Sequence, residues 1–511
     1  MGMKCRACSI WLVGFLALAS GACSSPEPTK GGPGDVAGAS GSATTGGAAG
    51  NAGAATGGRG SGGISTSGGK GGSGGTLGAA GGGGSGAQAG APAAGGAAGA
   101  LGTGGFPGGT SGGLGGQTAP GGGAGNVGAA GAAGSSGEPH WVGTWTASPY
   151  YDSGNQPPQA LSNSVLRQIA HISLGGSQFR FQFSNLGGNG PVTIQSTHVA
   201  LCKATPAVDS TIDTTTDKAL AFAGAASVTI AQGQEVWSDP LDFTVPALGN
   251  ISITSAFGSV PSSVVGHSGA RTTSYILSGS DVSAASMTSA TTTEHWYYAS
   301  GIDVMADAAA KGVVAIGDSI TDGRGTDTNQ NNRWTDILAA RLLANPATAN
   351  IAMMNQGIGA TNLVGASGTA AQARFNRDVL GQSGVKYAIV LDGVNDIGGG
   401  ASFASLKTAY DDLIGKAHAQ GVLIYGGTIL PFGGHSYYST EHESVRVQTN
   451  AYLKSAAFDG YIDFDAALTD GGTPPKLQTA FATWAQTDGL HPGPAGYQKM
   501  GEAADLTLFT K

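Results

Sequence analysis

The sequence is poor in cysteine and in positive charge. Its 511 residues include 24 Lys and Arg against 32 Asp and Glu, which gives a formal net charge of −8, and no cluster of Lys and Arg occurs. Because binding to a phosphate backbone needs clustered cations, these values argue against a nucleic-acid partner. Four cysteines, two of them within the first eight residues, provide neither a disulfide framework nor a cysteine-based metal site. We therefore expect no metal and no cofactor.

The N-terminus carries a targeting segment. Lys4 and Arg6 give it a positive start, residues 10–19 form a short apolar core, and small residues precede Cys23. The core is too short to span a bilayer as a permanent helix. The segment resembles a bacterial lipoprotein signal, which implies a signal peptide over residues 1–22 and a lipid anchor in a membrane through Cys23; the alternative is an ordinary secretory signal. Both interpretations predict an exported protein, held at the bacterial cell envelope (outer membrane or cell surface) or secreted.

Residues 23–137 are rich in Gly, Ala, Ser and Thr and have almost no charged or large apolar side chains. Such a segment cannot bury enough apolar surface to offset the entropy of ordering its backbone, so we expect a disordered Gly-rich linker. Gly-rich chains of this length have a reach of roughly 60 Å, which suits a tether between a membrane and a folded unit. A structural-protein role would need a strict repeat of the collagen type, and the segment lacks one.

Residues 138–310 contain short runs of β-branched and aromatic residues separated by Gly, Asn and Pro. Runs of alternating polarity between turn residues are typical of strands, and their spacing predicts an antiparallel β-sandwich. We expect this domain to pack on the following domain, to shape one wall of a cleft or to bind a glycan. The predicted strands cover residues 165–172, 178–183, 192–201, 225–230, 251–256 and 273–276.

Residues 311–511 alternate apolar strands with amphipathic helices, a pattern that predicts an α/β fold with a parallel sheet and helices on both faces. The predicted strands cover residues 312–316, 350–355, 387–392, 422–429 and 461–464. The predicted helices lie near residues 331–344, 369–381, 403–420, 442–456 and 494–508.

The stretch Gly317-Asp318-Ser319-Ile320 lies where the first of these strands ends. Ser319 is therefore at the carboxyl end of a parallel strand, where open α/β sheets place their sites. A serine in such a turn also has two structural interpretations, as a helix N-cap or as part of a phosphate-binding loop. No Gly-Lys-Ser/Thr follows, and the Gly-x-Ser-x-Gly elbow is absent because position 321 is Thr. Taken alone, Ser319 fits a structural role as well as a catalytic one.

Three later stretches carry polar residues at comparable places. Residues 355–362 follow a strand, and the glycines there allow backbone N–H groups to face a pocket. Asn395 follows the next strand and could donate its amide to a developing oxyanion, although an Asx-turn is the common role of such an Asn. Asp488 precedes His491 by three residues, so the carboxylate can orient the imidazole; an Asp that caps a helix N-terminus has the same spacing.

Together these stretches resemble the signature of the SGNH, or GDSL, hydrolase superfamily. Gly317-Asp318-Ser319-Ile320 is similar to its first block, Gly393-Val394-Asn395-Asp396 to its third, and Asp488-Gly489-Leu490-His491-Pro492 to its fifth. The blocks occur in the order of the family over about 200 residues, and their chance coincidence is very improbable. The resemblance implies a flavodoxin-like three-layer α/β/α domain over residues 311–511.

The resemblance also implies the catalytic roles. Ser319 would be the nucleophile, His491 the base and Asp488 the residue that orients it. The oxyanion hole would consist of the N–H of Ser319, the side chain of Asn395 and one further backbone N–H. Alignment without a gap from Asn355 puts that last N–H on Ala360 rather than Gly359, and Ala360 could serve if its φ is negative. Both positions stay candidates.

The similarity extends to an SGNH subgroup with a large β-domain before the catalytic blocks, often linked to deacetylation of xylan or other glycans. Residues 165–176, 179–185, 295–298 and 458–465 carry it. We therefore expect an esterase whose substrate is an acylated polysaccharide. The alternative hypothesis is a surface glycan-binding protein, or adhesin, with a vestigial hydrolase fold. The presence of Ser, Asn and His at the block positions disfavours it.

Other polar residues fit less specific roles. His435, Glu441 and His442 are too few and too widely spaced for a convincing metal site, and we expect them to face solvent or a cleft. Residues 432–438 are expected to line the acyl or sugar side of that cleft. Asp318 and Asp396 flank catalytic positions and are expected to form hydrogen bonds within turns.

Overall fold

The computed structural model describes residues 137–204, 207, 209–366 and 368–511, all of which fall within one compact unit. The predicted signal peptide, Cys23 and the linker as far as residue 136 lie outside the described residues. None of the helices in the described part combines the length and the apolar character needed to cross a membrane.

The N-terminal part of the described chain is β-rich, as predicted. Its strands are β1 (His140–Thr146), β2 (Ser164–His171), β3 (Gly176–Ser184), β4 (Val192–Leu201), β5 (Lys218–Ala219), β6 (Val228–Ile230), β7 (Glu235–Trp237), β8 (Leu241–Val245), β9 (Asn250–Phe257), β10 (Gly266–His267), β11 (Ser274–Ser278), β12 (Thr291–Thr293), β13 (Trp296–Tyr297) and β14 (Ala299–Ala306). All pairs between these strands are antiparallel.

Two larger sheets share one hydrophobic core in this region. One has the order β12-β11-β2-β9-β4-β5 with β6 on β4, the other has the order β1-β14-β3-β7 with β8 on β3, and β10 pairs separately with β13. Alternate residues of β3, namely Phe179, Phe181 and Phe183, are buried against Ile251 and Ile253 of β9. This period of two is the pattern that predicted strands with one buried face. Each of the six predicted strands overlaps an observed one.

The C-terminal part contains the strands β15 (Lys311–Gly317), β16 (Ile351–Gly357), β17 (Val385–Leu391), β18 (Leu423–Gly427) and β19 (Gly460–Ile462). Its helices are α1 (Ser319–Asp322), α2 (Trp334–Ala344), α3 (Ala371–Phe375), α4 (Val394–Gly398), α5 (Phe403–Ala419), α6 (Thr440–Leu453), α7 (Phe464–Leu468), α8 (Thr479–Ala482) and α9 (Pro494–Ala503), with a π-helical turn over Asn376–Leu380 and a 3-10 helix over Leu506–Thr510.

The five C-terminal strands form one parallel sheet in the order β16-β15-β17-β18-β19. Numbered within this region the order is 2-1-3-4-5, which is that of the flavodoxin-like doubly wound sheet. The prediction of a parallel α/β sheet is therefore confirmed. The helix predicted over residues 494–508 ends earlier, at Ala503, because Ala504 has extended backbone before the 3-10 helix begins.

The β-rich region packs directly on this sheet. In β1, Gly143 donates its N–H to the Ser383 carbonyl (2.9 Å), and Thr146 donates its hydroxyl to the Asn355 carbonyl in β16 (3.0 Å). A Cβ built on Gly143 would lie 2.4 Å from Sδ of buried Met354, so only glycine permits this approach. Packing on the α/β region, one of the three roles expected of the β-domain, is thus observed.

Candidate active site

Ser319 stands on the first turn after β15, an inner strand of the sheet. The run from Gly312 to Gly317 is buried because helices or strands cover both faces of the sheet. Asp318 caps the following helix, α1, by accepting a hydrogen bond from Ile320 N (2.9 Å), and Gly323 ends it with φ of 94°. A helix of a single turn between these two caps leaves Ser319 at the carboxyl edge of the sheet.

Three of the predicted site residues form one hydrogen-bonded chain. Ser319 Oγ lies 2.7 Å from His491 Nε2, and His491 Nδ1 lies 2.7 Å from Asp488 Oδ2. Asp488 Oδ1 also accepts from the N–H groups of Leu490 (3.0 Å) and His491 (2.9 Å). The short loop before α9 thereby fixes both the carboxylate and the ring. A nucleophile bonded to a base, which a carboxylate holds in one tautomer, is the arrangement of a serine hydrolase.

The protonation states in this chain suit a general base. Burial lowers the pKa of His491, and the opposing effect of Asp488 does not restore it to the ordinary value. Burial alone would raise the pKa of Asp488, but its hydrogen bonds to the backbone and to the His491 ring hold the pKa below the usual value. At neutral pH the carboxylate is therefore ionised and the imidazole is neutral, so Nε2 can take the proton of Ser319.

The loop after β16 lies beside the nucleophile. A Cβ built on Gly359 would be 4.0 Å from Ser319 Cβ, and neither Gly359 N nor Ala360 N bonds to another residue that the structure describes. The condition set for Ala360, a negative φ, is not met, because its φ is +59°. Left-handed backbone costs an alanine about 1 kcal/mol or more, so the surrounding structure must impose it. Gly359 carries no such condition and stays a candidate, and the backbone oxyanion donor stays a prediction.

Asn395 lies on α4, at the end of the neighbouring strand β17. Its Nδ2 donates to the Thr361 carbonyl (2.8 Å) and its Oδ1 accepts from the Tyr437 hydroxyl (3.2 Å). These two bonds determine which amide atom is nitrogen and leave the second N–H of Nδ2 for a substrate oxygen. Tyr437 belongs to the segment expected to line the cleft, but Phe432 of that segment is fully buried in the core, so the expectation is wrong for Phe432.

Three carboxyl groups lie close to one another just after the strands that precede Ser319 and Asn395. Asp318 caps α1, Asp396 accepts from the N–H groups of residues 363 and 364, and Asp392 accepts from Gly393 N (2.7 Å) while its Oδ2 is buried without a partner. Burial, together with the charges of Asp396 and Asp322, raises the pKa of Asp318 to about 7. Burial, together with the charges of Asp318 and Asp396, raises the pKa of Asp392 well above its ordinary value. The sequence argument missed Asp392, whose only signal was a carboxylate directly after a buried strand.

The rim of the site is polar and aromatic. The Trp484 ring stands edge-on to the His491 ring at 6.3 Å between centroids, and the Arg324 guanidinium lies 5.9 Å from the centroid of Trp484. Arg324 Nε is also 4.0 Å from Asp488 Oδ2. Neither Arg324 nor Trp484 was singled out from the sequence, because an arginine and a tryptophan in loops carry no spacing signal.

The histidines just before and within α6 form hydrogen bonds with the neighbouring backbone. His435 Nδ1 accepts from Tyr437 N (3.2 Å), and His442 Nδ1 donates to the Tyr437 carbonyl (2.7 Å). Within the part of the chain that the structure describes, no three His, Cys, Asp or Glu side chains are grouped so that they could hold a metal ion.

Comparison with known families finds a family model that matches the α/β part of the chain. Residues 315–499 match the model of the GDSL-like lipase/acylhydrolase family. This match confirms the resemblance drawn from the sequence blocks and, together with the serine–histidine–aspartate chain, supports a carboxylic-ester hydrolase.

Solved structures that resemble the chain include a GDSL-like lipase from Bacteroides thetaiotaomicron, an α/β hydrolase from the metagenome of Lake Arreo and an acetylxylan esterase from Geobacillus stearothermophilus. Their sequence identities are 18%, 20% and 17%, and their TM-scores are 0.30, 0.31 and 0.31. Each match covers 39% of this chain and 88%, 95% and 94% of the other chain, respectively. The comparison with curated proteins finds no match.

Proposed function

We propose that the protein is an exported serine esterase that removes short acyl groups, acetyl above all, from polysaccharides. The observation that carries the esterase part is the chain from Ser319 Oγ through the His491 ring to Asp488, with 2.7 Å at both hydrogen bonds. In the first step Oγ attacks the ester carbonyl, and Nε2 of His491 takes the hydroxyl proton. Nδ1 of His491 keeps its own proton and donates it in a hydrogen bond to Asp488. The carboxylate thereby stabilises the imidazolium that forms.

The carbonyl oxygen becomes an oxyanion in this step. The N–H of Ser319, that of Gly359, and the second N–H of Asn395 Nδ2 are the donors available to it. When the intermediate collapses, His491 returns the proton to the leaving sugar hydroxyl, and an acyl-enzyme remains on Ser319. A water then attacks the acyl carbon, with His491 again as base, and restores the free serine.

The character of the rim supports a polysaccharide substrate. Polar and aromatic groups border the site, namely Arg324 and Trp484 near the triad and Tyr437 at Asn395. Such groups suit hydroxyl-rich rings better than a long hydrocarbon chain. The sequence between the catalytic blocks has no long apolar segment that could serve as a lid over a triglyceride. A small acyl group on a sugar fits both features.

The first experiment measures hydrolysis of p-nitrophenyl acetate and acetate release from a panel of acetylated polysaccharides. Ser319→Ala should abolish both while the protein stays folded, and Ser444→Ala, at an exposed position of α6, should leave both unchanged. Undiminished turnover by Ser319→Ala would refute the nucleophile. Activity on p-nitrophenyl acetate without release from any polysaccharide would refute the substrate class only.

A serine-reactive phosphonate probe separates the esterase from the glycan-binding alternative. The esterase predicts a covalent adduct on Ser319, whereas glycan binding without an adduct would favour the vestigial hydrolase.

The lipid anchor is tested apart from the chemistry. Growth with a labelled fatty acid should label the protein, and Cys23→Ala should remove the label. If the wild-type protein is unlabelled and found in the culture medium, the lipid anchor is refuted and the protein is secreted.

A further inference from the structure

The nucleophile helix α1 is held by the β-rich region as well as by its own sheet. His267, the last residue of β10, is 4% exposed, and its Nε2 lies 2.9 Å from Oδ1 of Asp322, the last residue of α1. Asp322 is also 4% exposed. A carboxylate and an imidazole from the two regions thus meet in the interior, three residues along the chain from Ser319.

Both ring nitrogens of His267 face acceptors. Nδ1 lies 3.0 Å from the backbone carbonyl of Ser148, and a carbonyl oxygen only accepts hydrogen bonds. Nε2 faces the carboxylate of Asp322. A neutral imidazole has one N–H, so it could satisfy only one of these acceptors, while an imidazolium satisfies both. If Asp322 is ionised, both contacts can be hydrogen bonds only when both ring nitrogens carry a proton.

The surroundings keep Asp322 ionised. Burial alone would raise the pKa of Asp322, but the charge and hydrogen bond of His267, with further contributions from Arg271 and Arg333, hold it below its ordinary value. Removal of one member of such a buried pair leaves the other charge without compensation, which is the costly case for buried ions.

A second contact joins the same two regions. Arg333 donates Nε to the Asp322 carbonyl (2.9 Å) and Nη2 to the carbonyls of Gly269 (3.0 Å) and Ala270 (2.6 Å). The turn that follows His267 lies so close to α1 that a Cβ on Gly269 would be 1.9 Å from Asp322 Oδ2. The β-rich region therefore contacts the side chain of Asp322 directly, and Arg333 of the α/β region links the Asp322 carbonyl to the turn at Gly269 and Ala270.

Asp322 contacts both the nucleophile helix and the loop that contains Gly359. Its N–H closes α1 by donating to the Asp318 carbonyl (2.9 Å), and Gly323 N donates to the Ser319 carbonyl (3.0 Å). A Cβ built on Gly359 would be 3.4 Å from Asp322 Oδ2, so the same carboxylate lies against the loop of the oxyanion hole. A displaced Asp322 would change the position of Ser319 relative to that loop.

We propose that His267, as a buried imidazolium paired with Asp322, is a positioning residue that makes the β-rich region part of the esterase site. The pair fixes α1 and holds Ser319 Oγ at its distance from His491 and from the oxyanion donors. His267 touches neither substrate nor the reacting atoms. The activity arm of its test rests on the proposed esterase function, whereas the protonation arm does not.

The protonation arm uses the unaltered protein. NMR of ¹⁵N-histidine-labelled full-length protein at pH 7, assigned with His267→Gln, should show protons on both ring nitrogens of His267. A ring nitrogen without a proton would overturn the proposal, because one of the two acceptors would then be unsatisfied or Asp322 would carry the proton. This measurement does not depend on whether the protein hydrolyses esters.

The activity arm compares His267→Gln, Asp322→Asn and the double variant on p-nitrophenyl acetate. Misplacement of a reacting group by about 1 Å costs roughly 100-fold, so each single variant should lose about that factor in kcat, with KM changed by less than about twofold. The double variant should lose no more than the worse single variant, because the two side chains act as one pair. Labelling of Ser319 by the phosphonate should slow in parallel.

The matched control is His418→Gln, which removes an exposed histidine paired with Asp459 at 2.9 Å. It should leave kcat unchanged. Thermal unfolding shows whether each variant is folded. A folded His267→Gln with kcat within about twofold of the wild type, or losses that multiply in the double variant, would overturn the proposal. If the wild-type protein itself hydrolyses no ester, the esterase function fails, and the protonation result still decides the state of His267.

Discussion

Replacement of Asp488 by Asn exchanges one carboxylate oxygen for an N–H₂ group and keeps the shape of the side chain. In the folded protein Oδ1 accepts from two backbone N–H groups, those of Leu490 and His491, and Oδ2 accepts from His491 Nδ1 at 2.7 Å. The carbonyl oxygen of Asn would keep the two backbone bonds, which places the N–H₂ group opposite Nδ1. Because two donors cannot face each other, the imidazole would move its proton to Nε2.

That tautomer cannot accept the proton of the nucleophile. Nε2 lies 2.7 Å from Ser319 Oγ, and with a proton of its own it would donate to Oγ rather than activate it. The corresponding exchange in the well-studied serine protease triad lowers kcat about 10⁴-fold. At 1.36 kcal/mol for each factor of ten, the barrier would rise by about 5 kcal/mol. KM should change little, since Asp488 does not touch the substrate.

The assay is the steady-state hydrolysis of p-nitrophenyl acetate at pH 8 by folded protein. Asp505→Asn serves as the control, because Asp505 is an exposed carboxylate that caps the last 3-10 helix through Thr507 N (3.0 Å). This control should keep full activity. If Asp488→Asn keeps more than about a tenth of the wild-type kcat, the carboxylate does not set the tautomer of His491, and the triad argument is refuted.

The remaining predictions concern proton binding and the oxyanion. Because the pKa of His491 is below its ordinary value, kcat/KM should rise with pH through a single inflection below pH 6.5 and stay flat above pH 7; an inflection above 7 would contradict the neutral base. Asp392 has a raised pKa, so the native state binds its proton more tightly than the unfolded chain, and stability falls as pH rises above about 4. Asp392→Asn should reduce the loss of stability with rising pH that thermal-unfolding scans measure between pH 5 and 8. An unchanged dependence of stability on pH would contradict the raised pKa of Asp392. Asn395→Ala should lower kcat about 10²- to 10³-fold at similar KM, whereas Tyr437→Phe, which removes only the bond to Asn395 Oδ1, should cost much less; equal losses would point to positioning instead.

The placement of the candidate catalytic residues was predictable because it follows from local rules. Ser319 and Asn395 each follow an apolar run, and the carboxyl ends of parallel strands meet at one edge of a sheet. Asp488 and His491 are three residues apart, so a single turn brings them together. The role of Asp318 as an acceptor within its own turn was also expected and is observed, whereas Asp396 accepts from residues 363 and 364, which lie in the loop after another strand.

Features that depend on partners distant in the chain were not predictable. The strands β10 and β13 have two residues each, too short for any periodic pattern, and they form only because Gly266 and His267 pair with Tyr297 and Trp296. Ala360 has a left-handed backbone, which the sequence could not reveal because alanine carries no signal for a positive φ. Burial on all sides, which raises the pKa of Asp392, is likewise a property of the assembled fold.

The amino-acid order by itself determined which side chains are available and which ends of strands carry them, because strand alternation, turn chemistry and motif spacing act over a few residues. Only the tertiary structure decided that His267 meets Asp322 and that the β-rich region contacts the nucleophile helix. The physical reason is range. Hydrogen bonds within a turn are encoded by neighbouring residues, whereas desolvation and charge pairing depend on every element that the fold brings to the same place.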